Sequence, residues 1–210
     1  MSTPQTGEKP TGPTVTRRSS REVRMLSWAG VGCLRLEAAR VVLGEAGLRA
    51  TGSLVNAQHE GIETYSVSYS LATDESGVTQ RLTVRTAWTK GEQHVTVTRS
   101  EEGVWLVDHG QGAARTHFGG AVDVNLEFSP LFTALPVRRL GLHRDAARHD
   151  LPVVFVALPS LEVRGVSQTY RTVSLGEPAV ISLSSDSWEV ELTVDTNGLA
   201  LEYPGLARRV

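Results

Sequence analysis

Alternation of apolar and polar residues, renewed after each turn, is the feature of this sequence that most restricts its fold. The clearest case is WEVELTVDTNGLALEY, residues 188–203, where the alternation runs on both sides of the dipeptide Asn197-Gly198. Successive side chains of a strand point to opposite faces, so each half of this stretch has one apolar face. Asn-Gly is typical of a tight turn, and the stretch therefore predicts a β-hairpin.

The same pattern recurs along most of the chain after residue 20, with turn residues between the segments. Many strands of this kind need a closed or strongly curved sheet to cover their apolar faces. We therefore expect a mainly β protein, in which a single large curved antiparallel sheet forms a barrel or half-barrel. The predicted strands are residues 33–42, 48–56, 64–72, 78–88, 94–99, 151–158, 161–166, 167–175, 178–185, 188–195 and 198–205.

One short helix is predicted at residues 129–140. Ser129 can cap its start, Pro130 suits the first turn, and the apolar run LFTAL follows. Pro136 is expected to end the helix early, because proline lacks the amide hydrogen that a helix interior needs.

The first 20 residues differ in composition from the rest of the chain. Residues 1–20 are rich in Thr, Ser, Pro and Gly and contain no apolar run, which predicts a disordered N-terminal tail. The remainder, residues 21–210, is predicted to form one domain, since a chain of 210 residues with 40% hydrophobic residues can bury a substantial core.

Charge and composition argue against several classes of partner and location. The formal net charge is -2, so no overall positive field exists to attract nucleic acid. No window approaches the roughly 20 apolar residues of a membrane-spanning helix, and stable membrane insertion is not expected. The single cysteine, Cys33, cannot form an internal disulfide, which favours a cytoplasmic protein.

Known chemical motifs are missing from the sequence. It contains no GxSxG elbow and no phosphate-binding glycine loop, and its six histidines are not spaced with carboxylates as metal ligands. We therefore predict no metal, no cofactor and no enzymatic activity. Two alternatives stay open, namely a hydrolase of phosphate or sugar esters and a non-catalytic protein-interaction module.

The stretch from residue 120 to residue 142 holds the strongest candidates for a site. Strand alternation predicts a buried carboxylate at Asp123, which needs a cation or hydrogen-bond donors. Arg138 and Arg139 are the nearest candidates in sequence. Either they form a structural ion pair with Asp123, or one of them is free to bind an anionic or sugar head group.

Three stretches also carry a likeness to a known family: GAVDVNLEFSPLFTALPVRRLGL, LPSLEVRGVSQTYRTVSL and LTVDTNGLALEYPGLARRV. LSWAGVGCLRLEAARVV and GLRATGSLV extend it to nearly everything after residue 22. In the same order, these stretches resemble the bacterial putative glycolipid-binding family, formerly a domain of unknown function. LPVRRL, QTYR and TVDTNGLALEYPGL are the most specific motifs.

The resemblance implies a curved or barrel-like antiparallel sheet around an elongated apolar cavity, and a glycolipid or other amphipathic lipid as partner. We expect the ligand-binding residues to be Arg138, Arg139, Gln168, Tyr170, Arg171, Trp28 and Asp123. The four tryptophans Trp28, Trp88, Trp105 and Trp188 are candidates for lining the cavity or for the core. The family pattern also matches Pro130, Leu135, Pro136, Asp195, Gly198, Tyr203, Pro204 and Gly205.

Two positions depart from the family pattern. Asn125 stands where the family has a second aspartate, and Thr133 stands where it has an asparagine. These changes disfavour a metal-dependent activity. The sequence does not identify the lipid or the oligomeric state.

Overall fold

The structure, a computed structural model, describes residues 22–58, 61 and 63–210. The tail predicted for residues 1–20 lies outside the described residues. Within them, 15 strands form one sheet. The strands are β1 (Glu22–Gly30), β2 (Arg35–Leu43), β3 (Leu48–Asn56), β4 (Tyr65–Thr73), β5 (Thr79–Trp88), β6 (Gly91–Arg99), β7 (Trp105–Asp108), β8 (Ala113–Thr116), β9 (Asp123–Leu126), β10 (Arg148–Val156), β11 (Val163–Ser174), β12 (Ala179–Ser185), β13 (Trp188–Val194), β14 (Ala200–Tyr203) and β15 (Ala207–Arg209).

The sheet consists of two meanders that are joined at strands β1 and β15. Its order is β8 through β1 and then β15 through β9, so the first and last strands of the domain pair at its centre. All pairs are antiparallel except β9 with β10. The two edges stay unpaired with each other, although the Thr79 amide of β5 donates to the Val122 carbonyl just before β9. The prediction of a mainly β, curved half-barrel with one short helix is confirmed.

The predicted strands agree with the structure where the alternation is regular, and they fail at three kinds of place. The segments 161–166 and 167–175 form one continuous strand, β11, because no turn residue separates them. Strand β1 was not predicted, although it lies at the centre of the sheet. Strands β7, β8 and β15 are three or four residues long, too short for a clear periodicity.

A buried segment fills the inner face of the sheet. Residues 129–139, called the plug here, form a 3-10 turn at Pro130–Thr133 and then the helix α1 at Ala134–Arg139. Leu131, Phe132 and Leu135 are at most 2% exposed and belong to the same apolar cluster as the strands around them. The inner face is therefore packed where the plug lies.

Two details of the predicted helix were wrong. The Ser129 side chain makes no cap hydrogen bond within the described structure, because its hydroxyl donates to Glu37 instead. Pro136 does not end the helix, because α1 begins only at Ala134. Pro136 thus occupies the first turn, where the amide hydrogen of a helix has no intrahelical partner in any case.

The plug runs between two ends of the half-barrel. One end, called the mouth, carries the β1–β2, β3–β4, β5–β6 and β10–β11 connections, and Ser129 lies on that side. The other, called the far end, carries the β2–β3 and β13–β14 connections, and there Arg138 bonds to Gly44 and Asn197.

A carboxyl group lies buried where the plug begins. Glu37 of β2 is 2% exposed, and its Oε1 accepts hydrogen bonds from the Tyr69 hydroxyl at 2.5 Å and the Ser129 hydroxyl at 2.6 Å. Tyr69 reaches Glu37 by lying across Gly52 of β3, where any larger residue would overlap the phenol ring. Burial raises the pKa of Glu37 to about 7 from an ordinary 4.5, although both hydrogen bonds act in the opposite direction.

This shift predicts that stability falls as pH rises. Between pH 4.5 and pH 7 the folded chain holds a proton on Glu37 that the unfolded chain has lost, so the stabilisation is full below that range and is lost above it. We expect the free energy of unfolding to fall by about 3 kcal/mol across the range because of this group. Urea denaturation at several pH values measures it.

Glu37→Gln is the control for that measurement, since the amide has nearly the same shape and no charge. The variant should show a flatter dependence on pH. An unchanged pH dependence in the variant would contradict the assignment to Glu37.

Candidate functional site

The two adjacent arginines of the plug both bond to protein groups. Arg138 is 5% exposed, and its guanidinium donates to the carbonyls of Asn197 at 2.5 Å, Gly44 at 2.7 Å and Glu45 at 3.2 Å. Those carbonyls belong to the β13–β14 and β2–β3 connections. Arg138 therefore joins two loops of the far end to the C-terminal turn of α1.

Arg139 pairs with Asp123, the buried carboxylate of β9. Its Nη2 lies 2.6 Å from Oδ2 and its Nε lies 3.2 Å from Oδ1, a two-point contact with a carboxylate that is fully buried. Burial raises the pKa of the Asp123 carboxyl, while the Arg139 guanidinium acts in the opposite direction. Of the two interpretations of Asp123, the ion pair is the contact that the structure contains.

Gln168 and Tyr170 lie on the inner face of β11, close to Asp123. Both are buried, and the Tyr170 hydroxyl donates to the Gln168 Oε1 at 3.1 Å. Burial raises the pKa of Tyr170 well above its ordinary value, and the negative charge of Asp123 adds to the effect. The structure thus brings together four of the predicted residues, Asp123, Arg139, Gln168 and Tyr170, in a buried polar cluster.

Two other predicted residues lie elsewhere. Trp28 of β1 is buried, and its indole donates to the Ala200 carbonyl at 2.9 Å. Arg171 lies on the outer face of β11, where its guanidinium is 3.6 Å from Glu189. A ligand-binding role for the seven predicted residues stays a prediction.

The mouth holds a second group of polar and aromatic residues. Cross-strand pairing aligns Arg35 with Asn56, Asn56 with Tyr65 and Tyr65 with Trp88, so one row crosses β2, β3, β4 and β5. Arg35 donates to Asn56 at 3.3 Å, and its guanidinium lies 3.9 Å from the centre of the Phe128 ring. This row forms the rim of the inner face.

An open pocket of about 400 Å³ lies beside this row. Its walls contain apolar surface from Tyr65, Trp88 and Pro159, and the Pro159 carbonyl is held by the Thr86 hydroxyl at 3.1 Å. The remaining lining residues are Gly61, Glu63, Lys90 and Ser160.

Tyr65, which lines this pocket, has an unusual hydroxyl group. Tyr65 is 2% exposed, and its hydroxyl has no hydrogen-bond partner among the described residues. Burial raises the pKa of Tyr65 to about 12, and the nearby charge of Arg35 partly offsets that effect. A buried hydroxyl without a partner is costly, so this atom is suited to a hydrogen bond from a bound molecule.

A second pocket, of about 380 Å³, opens at the far end. Val42 and Leu48 contribute apolar surface, but Glu45, Arg49, Asp74 and Glu75 surround them with charge. It offers no aromatic wall in the described structure, and it is a poorer candidate for an amphipathic ligand.

Sequence reasoning did not identify the mouth, apart from naming Trp88 as a candidate for lining a cavity. The signal was present, because Asn56 and Trp88 end predicted strands and Tyr65 is the second residue of another. When consecutive strands pair as hairpins, the residues at their ends lie opposite one another, which places these residues in one row. The contributions of Pro159 and Phe128 depend on how distant segments pack, which no local pattern encodes.

Two further searches were confined to the described residues. They contain no group of three or more His, Cys, Asp or Glu side chains arranged to hold a metal ion, and His59 lies outside them. None of the described helices has the length and apolar character needed to cross a membrane.

The ion pair gives a prediction that separates structure from ligand binding. Arg139→Ala leaves the Asp123 carboxylate buried without its cation, so the free energy of unfolding should fall by about 3 kcal/mol. Adding Asp123→Asn to that variant should restore part of the loss. Chemical denaturation measures both.

Arg171→Ala is the matched control, because it removes an arginine whose ion pair is exposed to solvent. It should leave stability unchanged. Full stability of Arg139→Ala, together with a loss of lipid binding, would instead support a ligand contact.

Comparisons with known proteins are consistent with this fold. A search of the solved structures finds the crystal structure of a DUF1089 family protein from Pseudomonas aeruginosa, with a TM-score of 0.68 and 22% sequence identity. The match covers 97% of this chain and 100% of that chain, and at this identity it shows the shared fold alone. No curated protein matches the sequence.

The family comparison covers almost the whole described domain. The profile of the family described as "Putative glycolipid-binding" matches residues 25–209, which run from β1 to the last residue of β15. The match includes both the plug and the mouth. The chain therefore belongs to this putative glycolipid-binding family.

Proposed function

We propose that the protein binds a glycolipid or another amphipathic lipid, with the polar head group in the mouth pocket. The observation that carries the proposal is the open pocket of about 400 Å³ at the mouth, which Tyr65 and Trp88 line. Tyr65 also has a buried hydroxyl without a hydrogen-bond partner among the described residues. A hydroxyl of a bound sugar can supply the missing hydrogen bond. The family's description supports the same class of ligand.

The lining of the pocket fits an amphipathic head group. Trp88 and Pro159 supply apolar surface, and the indole and phenol rings of Trp88 and Tyr65 combine apolar faces with polar edges. Ser160, Glu63 and Lys90 add donors and acceptors around them. The one acidic and one basic side chain carry opposite charges, which favours a neutral sugar over a strongly anionic group.

The plug limits how much of a lipid the protein can enclose. Phe132 and Leu135 occupy the inner face that an acyl chain would otherwise line. A pocket of about 400 Å³ suits a head group and the first part of a chain rather than a whole lipid. We therefore propose binding at the mouth, with the rest of the chain outside the inner face.

We propose that the protein binds its ligand without catalysing a reaction on it. We also propose that the protein acts in the cytoplasm. Arg138 and the Arg139–Asp123 pair, which a hydrolase would need as free groups, are bonded within the protein. A hydrolysis assay on generic phosphate esters, carboxylic esters and glycosides tests this part. Turnover that Asp123→Ala abolishes would favour the hydrolase alternative.

Tyr65→Phe tests the site with the least disturbance, because it removes only the hydroxyl. Isothermal titration calorimetry with dodecyl maltoside, below its critical micelle concentration, provides an amphipathic sugar probe. We expect the variant to bind about tenfold more weakly, since one hydrogen bond is lost. Its melting temperature should not fall, because the hydroxyl has no partner in the described structure.

Tyr170→Phe is the matched control, since its hydroxyl bonds to Gln168 inside the buried polar cluster. It should lower the melting temperature and leave binding unchanged. Weaker binding by Tyr170→Phe but not by Tyr65→Phe would move the site to the residues predicted from the sequence.

A further inference from the structure

The plug is held differently at its two ends. At the far end the guanidinium groups of Arg138 and Arg139 bond to carbonyl groups and to Asp123. At the mouth side, Ser129 bonds to the buried carboxyl of Glu37. The contact at the mouth side involves a carboxyl whose pKa burial raises to about 7. At the far end, burial raises the pKa of Asp123 and lowers that of His143, whose Nδ1 lies 3.4 Å from the Val137 carbonyl oxygen.

Burial in the dry interior, and not the two hydrogen bonds, favours the neutral form of Glu37. Oε1 accepts both hydrogen bonds, from Tyr69 and Ser129, whereas Oε2 is buried and has no partner among the described residues. A carboxylate would place charge on an oxygen without a donor, which is unfavourable in a dry interior. The charge can be accommodated if water reaches Oε2.

The neighbours of Glu37 supply little compensating charge. Cross-strand pairing places Trp28 of β1 and Leu54 of β3 beside it, and both are buried. Tyr69 is the titratable neighbour, and burial raises its pKa well above the ordinary value, so it stays neutral. Arg35, two residues toward the mouth on β2, bonds to Asn56 and covers Phe128.

A charged side chain lies beyond Trp28, on strand β15, which pairs with the other side of β1. There the guanidinium of Arg209 lies 5.7 Å from the Trp28 ring and bonds to Asp195 at 2.7 Å.

The segment most easily displaced by a charge on Glu37 is the start of the plug. Ser129 contacts the carboxyl directly, and the Phe132 ring packs edge-on against Tyr69 with 5.4 Å between ring centres. The strands on the other sides are fixed by their ladders of hydrogen bonds. Water therefore gains access to Glu37 most readily where the plug begins.

We propose that Glu37 is a proton-dependent latch, which holds the start of the plug on the inner face when protonated and releases residues 127–133 when ionised. The far end stays fixed by the arginines. Because Phe128 covers Arg35, release also alters the row that borders the mouth pocket. The inference concerns the protein alone and does not depend on a bound lipid.

Hydrogen exchange of the full chain at pH 6 and pH 8, corrected for intrinsic exchange rates, tests the latch. The Glu127, Ser129 and Ala134 amides, which are all hydrogen-bonded, report on the start of the plug. Their protection should fall about tenfold between the two pH values, as proton linkage requires for a carboxyl that ionises near pH 7 when latched and near pH 4.5 when released. The Leu140 and Leu142 amides should change much less.

Three variants make the test specific. Glu37→Gln should abolish the pH response, whereas Glu127→Gln should keep it, although burial also raises the pKa of Glu127. If Glu37→Gln does not fold, Ser129→Ala serves instead. It removes a hydrogen bond that lowers the pKa of Glu37, so the midpoint of the response should move to higher pH.

Several results would overturn the latch. They are equal protection of the wild-type protein at both pH values, a response that survives in Glu37→Gln, and a response that Glu127→Gln abolishes. A loss of protection that extends equally to Leu140 and Leu142 would also contradict it. None of these results bears on lipid binding, which the calorimetry with dodecyl maltoside measures separately.

Discussion

The packing of residues 129–139 onto the inner face of the sheet is the constraint on which the rest of the structure depends. An open sheet whose strands alternate apolar and polar residues exposes its apolar face unless another part of the same chain covers that face. Here Leu131, Phe132 and Leu135 provide that cover, and two arginines fix the segment at the far end. The paired arginines of the sequence therefore follow from the need to hold a short helix inside a curved sheet.

The buried polar groups at the two ends of the plug have different surroundings. At the far end, the guanidinium groups of Arg138 and Arg139 bond to protein atoms, although the Arg138 Nε and the His143 Nε2 have no partner among the described residues. At the mouth, Tyr65 has a hydroxyl without a partner among the described residues, and Glu37 has an oxygen in the same condition. Buried polar atoms of this kind are rare in folded proteins and call for a physical reason. A ligand hydroxyl at Tyr65 and a proton on Glu37 are the reasons that we propose.

The sequence predicted the architecture better than the site. Strict alternation identified most of the strands, because a strand with one buried face must repeat every two residues. It also indicated that Asp123 is buried and needs a cation, and Arg139 is the partner that the structure provides. The pattern could not show that Ser129 bonds to Glu37, 92 residues away, because such contacts depend on how the sheet curves. The mouth was missed for the same reason.

The central claim is that the inner face is filled by the plug and that a lipid binds at the mouth. The most direct test is a crystal structure of the protein with dodecyl maltoside or with lipid retained through mild purification. We predict density for the head group against Tyr65 and Trp88, with the plug in place. Density for an acyl chain on the inner face, where Phe132 and Leu135 now lie, would contradict the account.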